Sequence, residues 1–368
     1  MKYDYLIVGG GLFGAAFAYE VGKRGYRCLV LEKRKHLGGN LYMENMAGIN
    51  VHMYGPHIFH TSDKELWDYF SAFADFYPFI NCPLANYKGK LYHLPFNMNT
   101  FYELWGTLTP QEAKKVIESQ TREFKTDNPQ NLEDFALSMV GKDLYEKLIK
   151  GYTEKQWGRK AADLPAFIIK RLPLRWTYDN NYFNNRYQGI PIGGYTAIIE
   201  KMLTNTEVKT SVDFFEGHRD FRKHAHKLVY TGMIDRYFDY RFGKLDYRSL
   251  HFQHKVLECD NFQGNAVINY TDTDTPYTRI IEHKHFEGLI SDKTVITKEY
   301  PLPFSGVEEP YYPVNDTNNN ERYTQYKTLA EQETDVLFRG RLGQYSYYNM
   351  DDIIRSVLTT VQEEFSGR

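Results

Sequence analysis

Three glycines and one glutamate near the start of the chain have the spacing of a dinucleotide-binding site. Gly9, Gly11 and Gly14 form the pattern G-x-G-x-x-G, and Glu32 lies about twenty residues further on. The first glycine permits a sharp turn, the second lets backbone N–H groups approach a pyrophosphate, and the third lets a helix pack close to a strand. A carboxylate at Glu32 would bond ribose hydroxyls and repel a 2′-phosphate. These residues predict a bound dinucleotide.

Arginines in two distant segments have the chemistry to clamp a diphosphate. Arg171 and Arg175 lie in the proline-bounded segment IIKRLPLRW, and Arg279 begins the strand-like segment RIIEHK. Each arginine alone is most simply a solvated surface residue, but a pair from distant segments can bind a diphosphate bidentately. The net charge is −2, so an anionic substrate must be met by such local arginines.

Aromatic residues are unusually common, with 31 tyrosines and 16% aromatic residues overall. Tyr152 and Trp157, in YTEKQWGR, are either a buried aromatic pair between helices or a platform that stacks a nucleotide base. Other tyrosine hydroxyls could serve phosphate and sugar oxygens, namely those of Tyr311, Tyr312, Tyr345, Tyr347 and Tyr348.

The glycine pattern requires a strand, a turn and a helix to position it. Residues Tyr3 to Val8 read as a strand, Ala15 to Lys23 as a helix and Arg27 to Leu31 as a second strand that ends at Glu32. A glycine-rich hairpin would also explain the glycines, but it would not explain Glu32. We therefore expect a βαβ unit with a phosphate site at the helix N-terminus.

The remaining elements follow from caps, periodicity and chain breakers. Thr109, Pro110 and Glu112 form a capping box that starts a helix, and helical spacing continues to Lys150, which predicts an inserted helical domain. Prolines and glycines from Asp163 onward predict a loop-rich passage. The strand-like segments VKTSVDF, HKLVYTG, AVINY, TVITKEY and DVLFRGR divide between the N-terminal sheet and an antiparallel layer, and a last helix starts near Asn349.

Composition excludes several classes of protein. With 368 residues, two or three subdomains are expected, and 42% hydrophobic with 25% charged residues is typical of a globular protein. The charge gives no reason to expect nucleic acid, and no apolar run reaches the roughly 18 residues of a membrane span. Three scattered cysteines predict reduced thiols in a cytoplasmic protein. No Ser-His-Asp arrangement or metal-ligand cluster is evident.

The chain resembles bacterial UDP-galactopyranose mutase over essentially its whole length. The resemblance is carried, in order, by VGGGLFGAAFAYE, EKRKHLGGN, YGPHIFHT, LPFNMNTF, IKGYTEKQWGR, LPAFIIKRLPLR, NNYFNNRYQGIP, NFQGNAVINYTD, PYTRIIEHKHF, TKEYP, EPYYPVND and GRLGQYSYYNMD. It implies an α/β fold with a Rossmann-like FAD-binding domain, an inserted helical-bundle domain and an antiparallel β-sheet domain. The FAD-binding domain is expected to comprise residues 1–80, 196–240 and 331–368. The helical domain is expected to comprise residues 81–175, with a mobile active-site loop near 164–178. The antiparallel sheet domain is expected to comprise residues 179–195 and 241–330.

The resemblance also implies a reaction. In that family, reduced FAD interconverts UDP-galactopyranose and UDP-galactofuranose with no net redox change; flavin N5 attacks the anomeric carbon and forms a covalent adduct as UDP leaves. NAD(P)H or another donor reduces the flavin. The resemblance further implies a homodimer with a UDP-sugar substrate, and a product that serves a cell-surface polysaccharide.

Site residues are implied by matching motif positions. Catalytic roles fall to Arg171, Arg279 and His60. The substrate-binding positions are Asn81, Tyr152, Thr153, Trp157, Arg171, Tyr182, Asn269, Arg279, Tyr312, Tyr347 and Asn349. The FAD-binding positions are Gly9, Gly11, Phe13, Gly14, Glu32, Gly39, Asn40, His57, Ile58, Val212, Asp213, Arg341 and Met350.

Two positions depart from the family pattern. Asn349 stands where the family has Asp; the Asn either caps a helix equally well or changes the sugar preference of the site. Pro56 stands where Ala is expected, which makes the loop around His57 stiffer. The same chemistry on an N-acetylgalactosamine or 6-deoxy-sugar nucleotide therefore stays open, although His60 favours plain galactose. Two hypotheses from different classes are an amine-oxidase-like flavin oxidoreductase and a non-catalytic protein that binds nucleotide sugars.

Overall fold

The computed structural model describes residues 2–126, 128–169 and 174–366 of the chain. Its strands, in chain order, are β1 (Tyr3–Val8), β2 (Cys28–Glu32), β3 (Met43–Met46), β4 (Ile49–His52), β5 (Phe59–Thr61), β6 (Phe76–Tyr77), β7 (Leu84–Tyr87), β8 (Lys90–His93), β9 (Tyr187–Pro191), β10 (Glu207–Thr210), β11 (Ala225–Tyr230), β12 (Tyr247–Leu257), β13 (Val267–Tyr270), β14 (Arg279–Glu282), β15 (Thr294–Pro303), β16 (Tyr312–Pro313) and β17 (Val336–Phe338).

The α-helices, in chain order, are α1 (Leu12–Gly22), α2 (Lys64–Ser71), α3 (Met98–Trp105), α4 (Pro110–Thr121), α5 (Leu132–Val140), α6 (Lys142–Leu144), α7 (Gly151–Trp157), α8 (Gly194–Leu203), α9 (Ile234–Tyr237), α10 (Thr317–Ala330), α11 (Gly340–Gly343) and α12 (Met350–Phe365). Short 3₁₀ turns lie at Gly39–Leu41, Arg122–Phe124, Ala161–Asp163, Ala166–Ile169, Phe221–Lys223 and His283–Glu287, and a π-helical turn spans Tyr145–Lys150.

A parallel sheet with the order β10-β2-β1-β11-β17 is built around the predicted βαβ unit. β1 has the predicted limits, and β2 ends at Glu32 as expected. β1 is central in the sheet, and its residues Tyr5, Leu6 and Ile7 are buried, as expected for a parallel strand that is covered on both faces. Helix α1 packs against both α8 and α12, and the three helices contribute to one core that includes Phe17, Ile198 and Val357.

A larger sheet has the order β16-β12-β15-β14-β13-β7-β8. Its neighbours pair antiparallel except β13 and β7, which run parallel. β13 and β14 form a hairpin in which Asn269 lies opposite Arg279. The parallel and antiparallel sheets together confirm the predicted fold class.

The helices from α3 to α7 surround a separate core. The predicted capping box is confirmed: Thr109 Oγ1 accepts from the Glu112 N–H at 3.3 Å, Glu112 Oε2 accepts from the Thr109 N–H at 3.2 Å, and Pro110 begins α4. The segment 142–157 passes from α6 through the π-helical turn into α7, and such turns often occur at functional sites.

The predicted domain limits stay a prediction, and two details differ from the expected elements. β7 and β8 open the segment predicted to be helical, because they complete the edge of the larger sheet. His60, expected in a loop, lies in β5, which pairs with β9. Within the described residues, no helix is long and apolar enough to cross a membrane.

Candidate functional site

The glycine turn brings β1 and α1 into very close contact. A Cβ atom at Gly14 would lie 2.0 Å from the Gly9 carbonyl oxygen, and one at Gly9 would lie 2.1 Å from Thr231 Oγ1. Gly9 also has a φ of +109°, which side chains rarely adopt. The first two residues of α1, Leu12 and Phe13, line a cavity beside this turn. The N-terminus of α1 therefore faces that cavity, a geometry that suits an anionic phosphate.

Glu32 lies at the end of β2 with a buried carboxylate. Its Oε2 accepts from the Gly10 N–H at 2.8 Å, and its Oε1 accepts from the Arg34 N–H at 2.9 Å. The Val212 N–H donates to the Glu32 carbonyl at 3.0 Å, so Val212 and Asp213 lie just past β10 and beside Glu32. Glu32 thus connects the glycine turn to the segment that contains the predicted FAD-binding positions Val212 and Asp213.

A cavity of about 520 Å³ begins beside the glycine turn and extends to the larger sheet and α7. Its wall is formed by α1, the loop before β5, the β13–β14 hairpin and the chain around α11 and α12. The predicted site residues that line it are Phe13, Asn40, His57, Ile58, His60, Asn81, Tyr152, Tyr182, Asn269, Arg279, Tyr312, Arg341, Tyr347, Asn349 and Met350. The fold therefore brings together positions that are distant in sequence.

Arg279 is the cation that lines this cavity from the larger sheet. Its Nε donates to Glu299 Oε1 at 3.0 Å, and Thr278 Oγ1 donates to the same oxygen at 3.0 Å. Glu299 is 1% exposed, so the pair is desolvated. Burial acts to lower the pKa of Arg279, but the Glu299 carboxylate and the neighbouring tyrosine hydroxyls together outweigh burial, and the pKa lies above its usual value. The guanidinium stays charged, and its Nη groups remain available to an anion.

Tyrosines and a second arginine line the same cavity. Burial raises the pKa of Tyr152 to about 12 and the pKa of Tyr312 well above its usual value. Both hydroxyls keep their protons at neutral pH and can donate hydrogen bonds. The rings of Tyr312 and Tyr347 stack with centroids 5.7 Å apart, and the Arg341 guanidinium lies 4.9 Å from the Tyr347 centroid. The stack and the guanidinium support each other.

Two histidines line the cavity as neutral groups. His57 Nδ1 donates to the Gly55 carbonyl at 2.8 Å, and burial lowers the pKa of His57 to about 4. His60 Nδ1 lies 2.9 Å from Asn185 Oδ1, and its ring stacks on Phe183 at 3.8 Å. Burial also lowers the pKa of His60. Because each Nδ1 is used as a donor, each Nε2 is a hydrogen-bond acceptor.

Two buried polar atoms of cavity residues lack a partner within the described part of the chain. Arg341 Nε is one, and Asn269 Oδ1 is the other. Arg341 is otherwise held by a bond from Nη2 to the Tyr311 carbonyl at 2.9 Å. A buried donor and a buried acceptor without partners are costly, so a polar ligand that paired with them would be stabilised in this cavity.

Other predicted site residues lie outside the cavity wall. Thr153 is buried, and Trp157 lines a second cavity of about 270 Å³ together with Arg159 and Arg248. Arg171 lies outside the described residues. The other predicted positions that do not line the larger cavity are Gly9, Gly11, Gly14, Glu32, Gly39, Val212 and Asp213.

Sequence reasoning missed Glu299, Phe183 and Tyr54, which also line the cavity. Glu299 is an acid in the middle of the apolar strand β15, and a buried acid in such a strand is a signal that it has a cationic partner. Tyr311, whose hydroxyl was expected to serve phosphate or sugar oxygens, lines the cavity as well, whereas the Tyr345 hydroxyl donates to the Asp246 carbonyl at 2.6 Å.

Two family models match the chain. The model described as UDP-galactopyranose mutase matches residues 147–347, and the model described as an NAD(P)-binding Rossmann-like domain matches residues 7–73. The first match covers the Tyr152 helix, the β13–β14 hairpin and Arg341.

Comparisons with individual proteins agree over the full length. The "Probable UDP-galactopyranose mutase" of Klebsiella pneumoniae is 39% identical, with 99% of this chain and 95% of that protein covered. The "dTDP-fucopyranose mutase" of Escherichia coli is 38% identical, with 97% of each covered. A crystal structure of reduced UDP-galactopyranose mutase superposes with a TM-score of 0.75 at 14% identity, covering 100% of this chain and 95% of that one.

Proposed function

The chain belongs to the UDP-galactopyranose mutase family, and we propose from this that its substrate pair is UDP-galactopyranose and UDP-galactofuranose. It is an FAD-dependent isomerase, and reduced FAD supplies the nucleophile for exchange at the anomeric carbon without net redox change. The observation that supports the substrate class best is the Arg279–Glu299 pair in a tyrosine-lined cavity that begins at the dinucleotide turn.

The residues around the turn fit FAD. Phe13, Asn40 and Met350 line the end of the cavity beside α1, and Arg341 Nε is a buried donor without a partner among the described residues. An electron-rich ring with carbonyl oxygens would satisfy that donor. We propose that Glu32 receives the adenosine ribose, with Val212 and Asp213 near the adenine.

Arg279 provides charge for a diphosphate. An anion that leaves the sugar gains negative charge in a desolvated cavity, where a preorganised guanidinium stabilises it strongly. Glu299 holds the Arg279 Nε, so the Nη groups are the ones presented to the diphosphate. We propose that Arg171, which lies outside the described residues, completes the clamp.

Aromatic and amide groups provide the remaining contacts. Tyr152 can stack the uracil, while the phenol hydroxyls of Tyr182, Tyr312 and Tyr347 can donate hydrogen bonds to phosphate and sugar oxygens. Asn81 and Asn269 line the same cavity, and the unpaired Asn269 Oδ1 can accept from a sugar hydroxyl. Asn349, which lines the same cavity, would border the sugar, whereas Thr153 and Trp157 do not line this cavity.

His60 presents a neutral acceptor to the cavity. With Nδ1 bonded to Asn185 and the ring stacked on Phe183, its Nε2 is held in one orientation. We propose that Nε2 accepts a hydrogen bond from the reduced cofactor or from a sugar hydroxyl. Because the His60 imidazole is neutral, it does not repel the protonated group that donates this bond.

Anaerobic turnover tests the proposal. The purified protein, reduced with dithionite or NADPH, is expected to convert UDP-galactofuranose into UDP-galactopyranose, as followed by chromatography, while the oxidised protein is inactive. Equal rates with oxidised flavin would remove the proposed chemistry. Net formation of hydrogen peroxide or NADP⁺ would instead identify an oxidoreductase.

A 6-deoxy-sugar nucleotide is the second candidate. It is favoured by one observation, the similarity to dTDP-fucopyranose mutase at nearly the same identity as to the probable UDP-galactopyranose mutase. Side-by-side kcat/KM values for UDP-galactofuranose and dTDP-fucofuranose decide between the two. A preference for the deoxy sugar of tenfold or more, about 1.4 kcal/mol, would replace the substrate proposed first.

A cytoplasmic location and a homodimer are also proposed. Cys28, Cys82 and Cys259 are free thiols, which suits a reducing compartment. Light scattering on the purified protein measures the mass, and a value near one 43.3 kDa chain would contradict the dimer.

A further inference from the structure

Lys155, on the second turn of α7, donates three hydrogen bonds to backbone carbonyls of residues 270–277. Its Nζ donates to the carbonyls of Tyr270 at 2.8 Å, Thr275 at 2.9 Å and Tyr277 at 3.1 Å. An ammonium has three donors, so this set satisfies the group completely. The Tyr270 carbonyl ends β13, and the other two acceptors lie in the turn that joins β13 to β14.

That turn connects two residues of the cavity. Asn269 comes directly before the Tyr270 carbonyl, and Arg279 follows two residues after the Tyr277 carbonyl. Across the hairpin, Asn269 and Arg279 are paired, and both line the larger cavity. Tyr152 lines the same cavity from α7, one helical turn before Lys155. Lys155 therefore bridges the two elements that carry these side chains.

The two elements are in contact at other points too. A Cβ atom at Gly151 would lie 2.3 Å from the Thr271 carbonyl oxygen, so the first residue of α7 touches the turn backbone. Thr271 Oγ1 donates to the Lys147 carbonyl at 2.7 Å. With backbone in such close contact, the three bonds of Lys155 set the orientation of the turn on the helix.

The environment of the ammonium is costly. Burial lowers the pKa of Lys155 to about 8, while the Asp272 carboxylate acts in the opposite direction. Asp272 itself accepts from the Thr275 N–H at 2.7 Å within the turn. A lysine exposed on the helix surface would avoid this desolvation cost. The buried position of the Lys155 ammonium is therefore explained by an interaction inside the turn that requires its charge.

We infer that Lys155 is a positioning residue for the nucleotide-sugar site: through the three carbonyls it holds Asn269 and Arg279 at a set distance from Tyr152. The inference rests on the proposed function, since it assigns these side chains to one substrate. A displacement of about 1 Å between groups that bind one substrate can cost ~100-fold in rate.

Variants of Lys155 and a matched lysine test the inference in the FAD-loaded protein. Lys155→Met keeps the approximate length of the side chain and removes its hydrogen-bond donors. Lys155→Ala leaves space for an added amine. Lys160→Ala is the control, because Lys160 is exposed beyond the end of α7. FAD absorbance and the melting temperature report folding, UDP titration reports affinity, and kcat and KM are measured separately. Hydrogen exchange in residues 270–279 reports the turn without any ligand.

For Lys155→Met we expect bound FAD, faster exchange in 270–279, weaker UDP binding and a kcat/KM lower by about 100-fold. n-Propylammonium should restore part of the activity of Lys155→Ala, whereas tetramethylammonium at the same concentration should not.

Wild-type UDP affinity and exchange in Lys155→Met would overturn the inference. So would loss of FAD and of the fold in both variants, because Lys155 would then be a general stabilising residue. If the wild-type protein turned over no nucleotide sugar, the proposed function would fail, while the exchange data would still judge Lys155.

Discussion

Arg279 and Glu299 form a desolvated ion pair in the wall of the cavity, with 3.0 Å between Nε and Oε1. They lie opposite each other on the adjacent strands β14 and β15. Because Glu299 holds Nε, the guanidinium has one fixed orientation and leaves its Nη groups for a ligand. The pair thus provides both charge and direction.

Arg279→Ala is expected to lower kcat/KM by at least about 100-fold, because the diphosphate loses its preorganised cation and Glu299 is left as an unpaired buried charge. Turnover assays with reduced enzyme and UDP titration measure the effect. Arg222→Ala is the matched control, since Arg222 forms exposed ion pairs with Glu333 and Asp335. A kcat/KM near the wild-type value in Arg279→Ala would contradict the assigned role.

Gly14→Ala is expected to abolish FAD binding, because the added Cβ would meet the Gly9 carbonyl oxygen at 2.0 Å and displace α1 from the turn. The A450 to A280 ratio of the purified protein measures FAD content. Gly22→Ala, in the same helix, has nothing within 4 Å of the new Cβ. That variant should keep FAD and gain up to about 1 kcal/mol of stability. Normal FAD content in Gly14→Ala would show that the turn tolerates a side chain.

Stability should fall as the pH drops below about 6.5, because His52 and His283 are buried and neutral. Burial lowers the pKa of His52 to about 3 and the pKa of His283 well below its usual value. The unfolded chain binds these two protons and the folded chain does not, so each histidine costs about 1.4 kcal/mol between pH 7.5 and pH 5.5. Urea unfolding at the two pH values measures the loss.

In His52→Gln, the loss between the same pH values should be smaller by about 1.4 kcal/mol. An unchanged pH dependence in that variant would mean that His52 is protonated in the folded state.

Asn349→Asp should change sugar preference without changing stability. Asn349 lines the cavity and is the N-cap of α12, in a capping box with Asp352, and Asp fills an N-cap position as well as Asn does. Its backbone N–H donates to Asp352 Oδ2 at 2.9 Å, a bond that the substitution keeps. A carboxylate accepts hydroxyl hydrogen bonds more strongly than an amide does, so the kcat/KM ratio of UDP-galactofuranose to dTDP-fucofuranose should rise about tenfold. Kinetics with both substrates give this ratio. An unaltered ratio with an unaltered melting temperature would place Asn349 outside the specificity site.

Local elements were predictable because local interactions decide them. The capping box at Thr109 and Glu112 involves neighbours within one helical turn, and the glycine turn requires residues that carry no side chain. The role of Glu299 was not predictable from its strand alone, because its partner Arg279 lies on the next strand and is twenty residues away in sequence.

The sequence by itself determined the nucleotide-binding unit and, through the order of its motifs, the family and its cofactor. Tertiary structure alone decided which tyrosines and arginines share one cavity, why Trp157 borders a second cavity rather than the first, and that Lys155 points into the β13–β14 turn. The reason is physical: caps, turns and glycine clearances depend on neighbouring residues, whereas desolvated pairs and buried donors depend on strands and helices that meet only after folding.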